Sequence, residues 1–241
     1  MVTIKQHTIP AFVKYLRGYK ERGAVLKASF LHHTWSPNAS QYKGKSTIEG
    51  IRRFHRSRGF SDIACHAYAC PDGTVFNARP PNINNCACQY PDEGSSTWPA
   101  ELRRISGGSK RWMNAYGFGI ETIGNFDEED PAQSVAMATS LDVLAAVHRL
   151  WAIPVTRCFF HRDVSSKTCP GDRVTKTWVH AELRRRLAVP DEPDVDDWAQ
   201  EAVDWCRAEG LMVGYPDGLF HGRDPVSRQE LAVILHRLGG D

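Results

Sequence analysis

The sequence of 241 residues has no run of about 18 uninterrupted apolar residues, which is the length that a membrane-spanning helix requires. Residues 1–23 are basic but lack an apolar core followed by a small-residue cleavage site, so we expect no secretory signal. The basic residues are scattered, and no DNA- or RNA-binding motif accompanies them. We therefore expect neither membrane insertion nor nucleic-acid binding, and another agent must deliver the protein if its substrate lies outside the membrane.

The chain has seven cysteines, which is a small and odd number. Without a secretory signal, a disulfide framework is a poor expectation for such a chain. The residues Cys158 and Cys206 are expected to be small buried apolar side chains. Four others have no assigned role: Cys65, Cys70, Cys86 and Cys88.

Charge is distributed unevenly along the chain, although the net charge is only +2. Residues 1–188 contain 26 Lys and Arg against 16 Asp and Glu, whereas residues 189–241 contain 4 against 12. The break predicts two units with different partners, and the basic unit would favour an anionic polymer.

Strands and helices alternate between residues 24 and 187, which predicts an α/β fold with a mixed central β-sheet flanked by helices. The first helix is predicted to begin with a capping box of Ser46 and Glu49 and to end at Gly59. A second helix is predicted to begin at Asp130 and to run to about Trp151, and residues 86–110 are predicted to form a long surface loop. The predicted strands are 24–32, 65–69, 74–77, 117–123 and 155–161, and a last helix is predicted at 175–187.

Three residues have the right types for a catalytic zinc site: His32, His161 and Cys169. Such a zinc takes three protein ligands and leaves one position for water. Imidazole and thiolate suit zinc, whereas magnesium or calcium would require carboxylates. Because successive side chains of a strand point to opposite faces, His32 and His33 cannot both bind one metal, and the residues alone leave the choice between them open.

Four segments together resemble one known family: FLHHT (30–34), IRRFHRSRGFSDIACH (51–66), DGTV (72–75) and HRDVSSKTCP (161–170). This pattern, over about residues 24–187, resembles the type-2 N-acetylmuramoyl-L-alanine amidases, which include phage lysins, bacterial autolysins and animal peptidoglycan recognition proteins. The resemblance implies the amidase type-2 fold for residues 1–188. It also implies peptidoglycan as the substrate, one Zn²⁺ per chain, and cleavage between N-acetylmuramic acid and L-alanine.

By position, the resemblance implies that His32, His161 and Cys169 bind the zinc, with His33 as a neighbour that does not. It places Lys167 beside the metal, where an ammonium could stabilise the oxyanion of the reaction.

One position departs from the family pattern. Many members have a catalytic tyrosine directly before the histidine that matches His66, and this chain has Cys65 there. Another branch, similar to the cytoplasmic amidases that act on anhydro-muropeptides, uses a glutamate in a Gly-Ile-Glu strand. This chain has that tripeptide at 119–121, so Glu121 is the candidate general base; the alternative is a structural ion pair.

Weaker candidates for substrate contact follow from position alone: His66, Arg79, Asn114 and Tyr116. For His66, hydrogen-bonded packing in a strand is an equal alternative. Four other histidines are expected to be structural: His55, His148, His180 and His236.

Residues 189–195 (VPDEPDV) predict a short acidic linker, and residues 196–241 predict a small helical module. This module resembles a surface-layer homology repeat in WAQEAVDWC (198–206), GYPDGLF (214–220) and VSRQELAVIL (226–235). The resemblance implies binding to a secondary cell-wall polymer, with Arg228 as the candidate contact. A capping box of Ser227 and Glu230 is predicted to open its last helix.

The combined interpretation is a phage endolysin, made in the host cytoplasm without a signal peptide and acting on the cell wall after release. Two alternatives stay open. One is a non-catalytic peptidoglycan-binding protein, and the other is a cytoplasmic amidase that recycles soluble muropeptides.

Overall fold

The computed structural model describes residues 2–85, 97–188, 197–212, 222 and 225–239. The chain divides into two compact units, residues 1–188 and residues 189–241. Within the described residues, no helix has both the length and the apolarity to cross a membrane.

Six strands of the first unit form its central sheet: β1 (Lys5–His7), β2 (Ala28–His33), β3 (Ala67–Ala69), β4 (Val75–Asn77), β5 (Gly117–Thr122) and β6 (Cys158–Phe160). Its helices are α1 (Ile9–Glu21), α2 (Lys45–Ser57), α3 (Ala100–Ser106), α4 (Lys110–Tyr116), α5 (Val135–Leu150) and α6 (Lys176–Leu187). The second unit contains α7 (Gln200–Ala208) and α8 (Arg228–Gly239).

The strand order is β1-β4-β3-β5-β2-β6. Strand β4 pairs antiparallel with both β1 and β3. Strands β3, β5, β2 and β6 are parallel to one another. The sheet is therefore mixed, as the sequence predicted, and the carboxyl ends of β5, β2 and β6 meet at one edge.

The two faces of the sheet bury different helices. Helices α1, α5 and α6 pack against one face through a large apolar core, which includes Leu16, Leu144 and Leu183. Helix α2 packs against the other face through Ile48 and Ile51. Two layers of helices around one sheet give the predicted α/β arrangement.

The predicted capping box of Ser46 and Glu49 is wrong. Helix α2 begins two residues earlier than predicted, at Lys45, with Gly44 as its N-cap at φ 61°. Ser46 therefore lies inside the first turn, where its hydroxyl donates to the Lys43 carbonyl at 2.8 Å. The Thr47 hydroxyl instead accepts a hydrogen bond from the Lys43 amide at 2.7 Å, so it provides a partner for a backbone N–H just before the helix.

The start of the next long helix also differs from the prediction. The Asp130 carboxylate does accept a hydrogen bond from the Ala132 amide, but the element that follows is a short 3₁₀ turn, Pro131–Gln133. Helix α5 begins only at Val135, with Ser134 as its cap. Asp130 therefore caps the 3₁₀ turn and not the helix.

Part of the predicted surface loop 86–110 is helical. Helix α3 buries Leu102 against Trp98 and Phe30, which form a small apolar cluster on the face of the sheet that also bears α2. Cys86 and Cys88 lie outside the described residues. Strand β1 and helix α1 were not predicted, although the Thr8 cap and the proline that follows it are ordinary signals of a helix start.

The second unit is described in part. The reciprocal hydrogen bonds of the predicted Ser227–Glu230 capping box are present, at 2.8 and 3.2 Å. Arg237 on α8 donates to the Leu211 carbonyl at 3.1 Å, which ties α8 to the end of the α7 segment. Cys206 is partly exposed and not buried as expected, whereas Cys158 in the first unit is fully buried. The linker 189–195 and the GYPDGLF motif at 214–220 lie outside the described residues.

Candidate functional site

The candidate site lies at the carboxyl ends of the parallel strands, the usual location for ligands in such sheets. His32 is near the end of β2, and it pairs in register with Glu121 near the end of β5. His161 directly follows β6. Because side chains alternate along a strand, His32 and Glu121 point to the face that also bears α2.

The neighbouring histidine points the other way. The His33 ring lies against Phe126, and its Nδ1 accepts a hydrogen bond from the Phe126 amide at 3.2 Å. The backbone amide of His33 nevertheless reaches the site, since it donates to Cys169 Sγ at 3.4 Å. The geometry therefore separates the two histidine side chains that the residue pattern alone could not distinguish.

Three donor atoms converge at this position. Ligand atoms of His32, His161 and Cys169 all lie within 4.8 Å of one another. His32 Nδ1 is 3.7 Å from Cys169 Sγ, and the two imidazole ring centres are 4.7 Å apart. Two ligands at zinc–nitrogen and zinc–sulfur bond lengths in tetrahedral geometry are about 3.5 Å apart. The observed spacing fits a shared tetrahedral ion.

The protonation of the three groups also suits a metal. Burial, and then the proximity of His161, holds the pKa of His32 well below its usual value. Burial and the Lys167 charge lower the pKa of His161 to about 4, so both rings are neutral and keep a lone pair for a metal. His32 Nε2 is buried without a hydrogen-bond partner among the described residues. A buried polar atom in that position fits a site that receives a ligand.

The thiol needs a cation to ionise. Burial, reinforced by the nearby Glu121 carboxylate, raises the pKa of Cys169. A zinc ion supplies the positive charge that stabilises a thiolate. The donor set of two imidazoles and one thiol therefore fits zinc better than a hard cation.

Glu121 stands beside the three donors and faces the cleft. Burial raises the pKa of its carboxyl to about 7, while a hydrogen bond from the Cys65 thiol and the Lys167 charge act in the opposite direction. The Cys65 Sγ to Glu121 Oε2 distance is 3.3 Å. The alternative of a structural ion pair has no support among the described salt bridges.

A cleft of about 600 Å³ opens above these groups. The exposed Lys167 lies on its wall, in the turn that precedes Cys169. Residues that the sequence did not single out also line it: Trp35, Phe54, His55, Arg58, Phe60 and Asp127. His55 had been expected to be structural. Phe54 and Arg58 are four residues apart on α2 and its C-cap, a spacing that places both on one face of the helix. This spacing was the one feature of the sequence that could have indicated these residues.

The four weaker candidates have structural partners and do not line this cleft. The His66 ring is buried and stacks on Phe118. Both of its nitrogens form hydrogen bonds with backbone groups. The Arg79 guanidinium donates to the Ile63 carbonyl at 2.6 Å and is also buried. Asn114 is buried in α4, and the Tyr116 ring receives the Lys27 ammonium at 4.6 Å from its centre.

Comparisons with known proteins agree with this geometry. Residues 22–172 match the family described as N-acetylmuramoyl-L-alanine amidase, and residues 190–232 match the S-layer homology domain. The first match spans all three donors, Glu121 and Lys167. The second includes Arg228, the exposed first residue of α8.

Individual proteins resemble one part of the chain or the other. The endolysin N-acetylmuramoyl-L-alanine amidase LysCS from Clostridium intestinale URNW is 24% identical, with a TM-score of 0.45 over 67% of this chain and 86% of that chain. Drosophila peptidoglycan recognition protein SD is 21% identical, with a TM-score of 0.45 over 62% and 76% of the two chains.

Two curated relatives match a short part of this chain. The outer membrane protein SlpA of Deinococcus radiodurans is 35% identical over 63 residues, which are 24% of this chain and 5% of that protein. SlpA of Thermus thermophilus is 42% identical over 41 residues, which are 17% of this chain and 4% of that protein. The chain thus spans about one-twentieth of the length of the curated relatives it matches.

Proposed function

This chain belongs to the N-acetylmuramoyl-L-alanine amidase family, and from that premise we propose that it uses zinc to hydrolyse the amide bond between N-acetylmuramic acid and L-alanine in peptidoglycan. The observation that carries the proposal is the convergence of His32, His161 and Cys169 within 4.8 Å, beside Glu121 and in an open cleft. Two neutral imidazoles and a thiol form the ligand set of a catalytic zinc with one open position.

The three side chains would hold one zinc ion per chain. Bound there, zinc polarises the scissile carbonyl and makes water more acidic. The buried walls of the site and the His33 amide, which donates to Cys169 Sγ, fix the sulfur in place. These contacts would hold the three ligands ready for the metal.

Glu121 is assigned the proton transfer. Its carboxylate shares a face with His32 and lines the cleft, whereas the nearby Asp127 carboxylate already accepts hydrogen bonds from the Thr168 hydroxyl and the Asp172 amide. Glu121 takes the proton from the attacking water and delivers it to the departing nitrogen of L-alanine. The Lys167 ammonium, on the cleft wall, stabilises the negative charge that develops on the carbonyl oxygen, an effect typically worth about 3 kcal/mol.

Digestion of purified sacculi with mass analysis of the products tests the reaction. We expect intact glycan strands and free stem peptides that begin with L-alanine. New reducing ends would identify a glycosidase, and no products at all would favour a non-catalytic binding protein. Chelation should abolish the activity, and added zinc should restore it. Glu121→Ala should abolish turnover while zinc content stays near one per chain.

We also propose that the protein acts as an endolysin, reaching the wall from the host cytoplasm. Support comes from the joining of an amidase domain to an S-layer homology domain, since both are directed at the cell envelope. Expression inside a bacterium should cause lysis only when the membrane is also permeabilised. The alternative, a recycling amidase, predicts faster hydrolysis of soluble muropeptides than of intact sacculi.

A further inference from the structure

The turn that carries Cys169 is not part of the sheet. Cys169 follows three exposed residues, 166–168, and lies eight positions after His161, which directly follows β6. The sheet therefore positions His32 and His161 directly, but it reaches the thiol only through the His33 amide, which donates to Cys169 Sγ at 3.4 Å. Further contacts must hold the turn itself.

Arg162 makes these contacts. Its backbone amide donates to the Cys169 carbonyl at 2.8 Å. Its guanidinium Nη1 donates to the Thr168 carbonyl at 3.0 Å and to the Gly171 carbonyl at 2.7 Å. Its Nη2 donates to the Val174 carbonyl. One residue, adjacent to one zinc ligand, thus binds four carbonyls of the turn that carries another.

The far side of the turn rests on the segment that follows β5. Gly171 has a φ of +114°, and a Cβ there would lie 2.5 Å from the Phe126 carbonyl carbon. The Arg173 amide donates to the Phe126 carbonyl at 3.1 Å. The turn is therefore held between Phe126 on one side and the Arg162 guanidinium on the other.

We propose that Arg162 is a positioning residue for the metal, which holds the Cys169 turn so that the thiol lies within reach of His32 and His161 before zinc arrives. The inference rests on the proposed zinc chemistry of this site. Arginine suits the task because its planar fork presents five N–H donors in fixed directions. The ammonium of a lysine is a single point of donation and cannot reach three carbonyls spread over residues 168–174.

The first experiment measures zinc affinity by competition with a chromophoric chelator. Arg162→Ala and Arg162→Lys should each lower the affinity by about 10- to 100-fold, as expected when an outer contact of a metal ligand is lost. Arg173→Ala is the matched control, because Arg173 is an exposed arginine of the same turn and its loss changes the charge equally. Among the described residues, its side chain makes no hydrogen bond or ion pair with the turn. Arg173→Ala should leave the affinity within about twofold.

The second experiment needs no metal. Cys169 is 6% exposed. Alkylation mapped by mass spectrometry should label Cys169 at least about tenfold faster in Arg162→Lys than in the native chain or in Arg173→Ala, because the turn opens more often. Labelling of the buried Cys158 reports on global folding and should not change in any of the three proteins.

The outcomes separate the two proposals. If the Arg162 variants keep native zinc affinity and native Cys169 labelling, the positioning role is overturned. If labelling of Cys169 accelerates but the native chain does not cleave sacculi, the amidase proposal fails and the role of Arg162 in holding the turn stands. Equal acceleration at Cys158 would show general unfolding and would also overturn a specific role.

Discussion

The thiol of Cys65 donates a hydrogen bond to Glu121 Oε2 at 3.3 Å, from the position where many members of the amidase family are expected to have a tyrosine. Cys65 directly precedes the segment leading into β3, and β3 pairs with β5 so that Tyr68 lies opposite Glu121. The Cys65 thiol is buried and is not among the residues that line the cleft. Its contact with the Glu121 carboxylate therefore orients that carboxylate from the protein interior.

Loss of this hydrogen bond should slow catalysis without affecting the metal. We expect Cys65→Ala to lower kcat about fivefold, because one weak hydrogen bond to a charged group contributes about 1 kcal/mol. Cys65→Ser keeps a donor of similar size and should recover most of the rate. Zinc content and KM should stay native in both variants. Unchanged kcat in Cys65→Ala would show that Glu121 is oriented by other contacts.

A second prediction concerns backbone strain in the cleft. Trp35 has a φ of 58°, a left-handed conformation that non-glycine residues adopt at a cost of about 1 kcal/mol or more, and its side chain is 60% exposed on the cleft wall. Trp35→Gly should therefore raise the free energy of unfolding by about 1 kcal/mol. It should also lower kcat/KM on sacculi about fivefold, because the aromatic surface that meets substrate is lost.

Ala152 provides the control for that prediction. It has a φ of 51°, is exposed, and follows α5 at a site that does not line the cleft. Ala152→Gly should give a similar gain in stability, measured by chemical denaturation, with native activity. If Trp35→Gly also keeps native activity, Trp35 makes no contact with substrate.

Local patterns were sufficient to predict much of the fold. The strands around residues 28–33, 117–122 and 158–160 and the helix 176–187 are short-range features of hydrophobic pattern and capping, and the structure confirms them. The wrong start of α2 has a local cause as well, since the Ser46 and Thr47 hydroxyls both bond to the Lys43 backbone and leave Gly44 as an N-cap without a side-chain bond. Helix α1 was overlooked because its buried residues, such as Leu16, alternate with many basic residues.

The candidate metal ligands were predictable from residue type, and Glu121 and Lys167 from the resemblance to the amidase family. Histidine and cysteine identify themselves by their chemistry, and strand alternation adds that His32 and His33 face apart. The roles of Arg162 and Cys65 depend on long-range pairing, on which carbonyls a turn exposes and on which strand lies beside β5. The structural role of His66 also depends on distant segments. Its ring bonds to the backbone of Gly119 and Ile83, and the sequence around His66 does not indicate these partners.

Wall binding by the C-terminal unit gives a third prediction. Arg228 is exposed at the start of α8, within the residues that match the S-layer homology domain. We expect Arg228→Glu to reduce the fraction of protein that pellets with cell walls about threefold or more, since a cation that contacts an anionic polymer becomes a repelling charge. Arg184→Glu, an equal charge change at an exposed position of α6, should pellet as the native protein does. Equal losses would indicate a non-specific charge effect.

The last prediction concerns acid stability and involves His148 on α5. The ring is buried, 2.8 Å from the Ser29 hydroxyl and 3.0 Å from the Ile153 carbonyl. Burial lowers the pKa of His148 to about 4, against the pull of the Ile153 carbonyl. The pKa of a histidine in the unfolded chain is about 6.5. Between that pH and about 4, the unfolded chain binds a proton at this residue and the folded protein does not. This contribution to stability is complete above pH 6.5 and is lost as the pH falls towards 4.

Chemical denaturation of the metal-free protein between pH 7 and pH 4 measures the effect. His148→Gln should flatten the decline in unfolding free energy by up to about 1.4 kcal/mol per pH unit, because one fewer proton is taken up on unfolding. Ser29→Ala removes a hydrogen bond but keeps the histidine, so it should lower stability at every pH and leave the slope near native. If His148→Gln instead shifts the whole curve without changing its slope, the folded and unfolded rings take up the proton over the same pH range, and burial does not lower the pKa of His148.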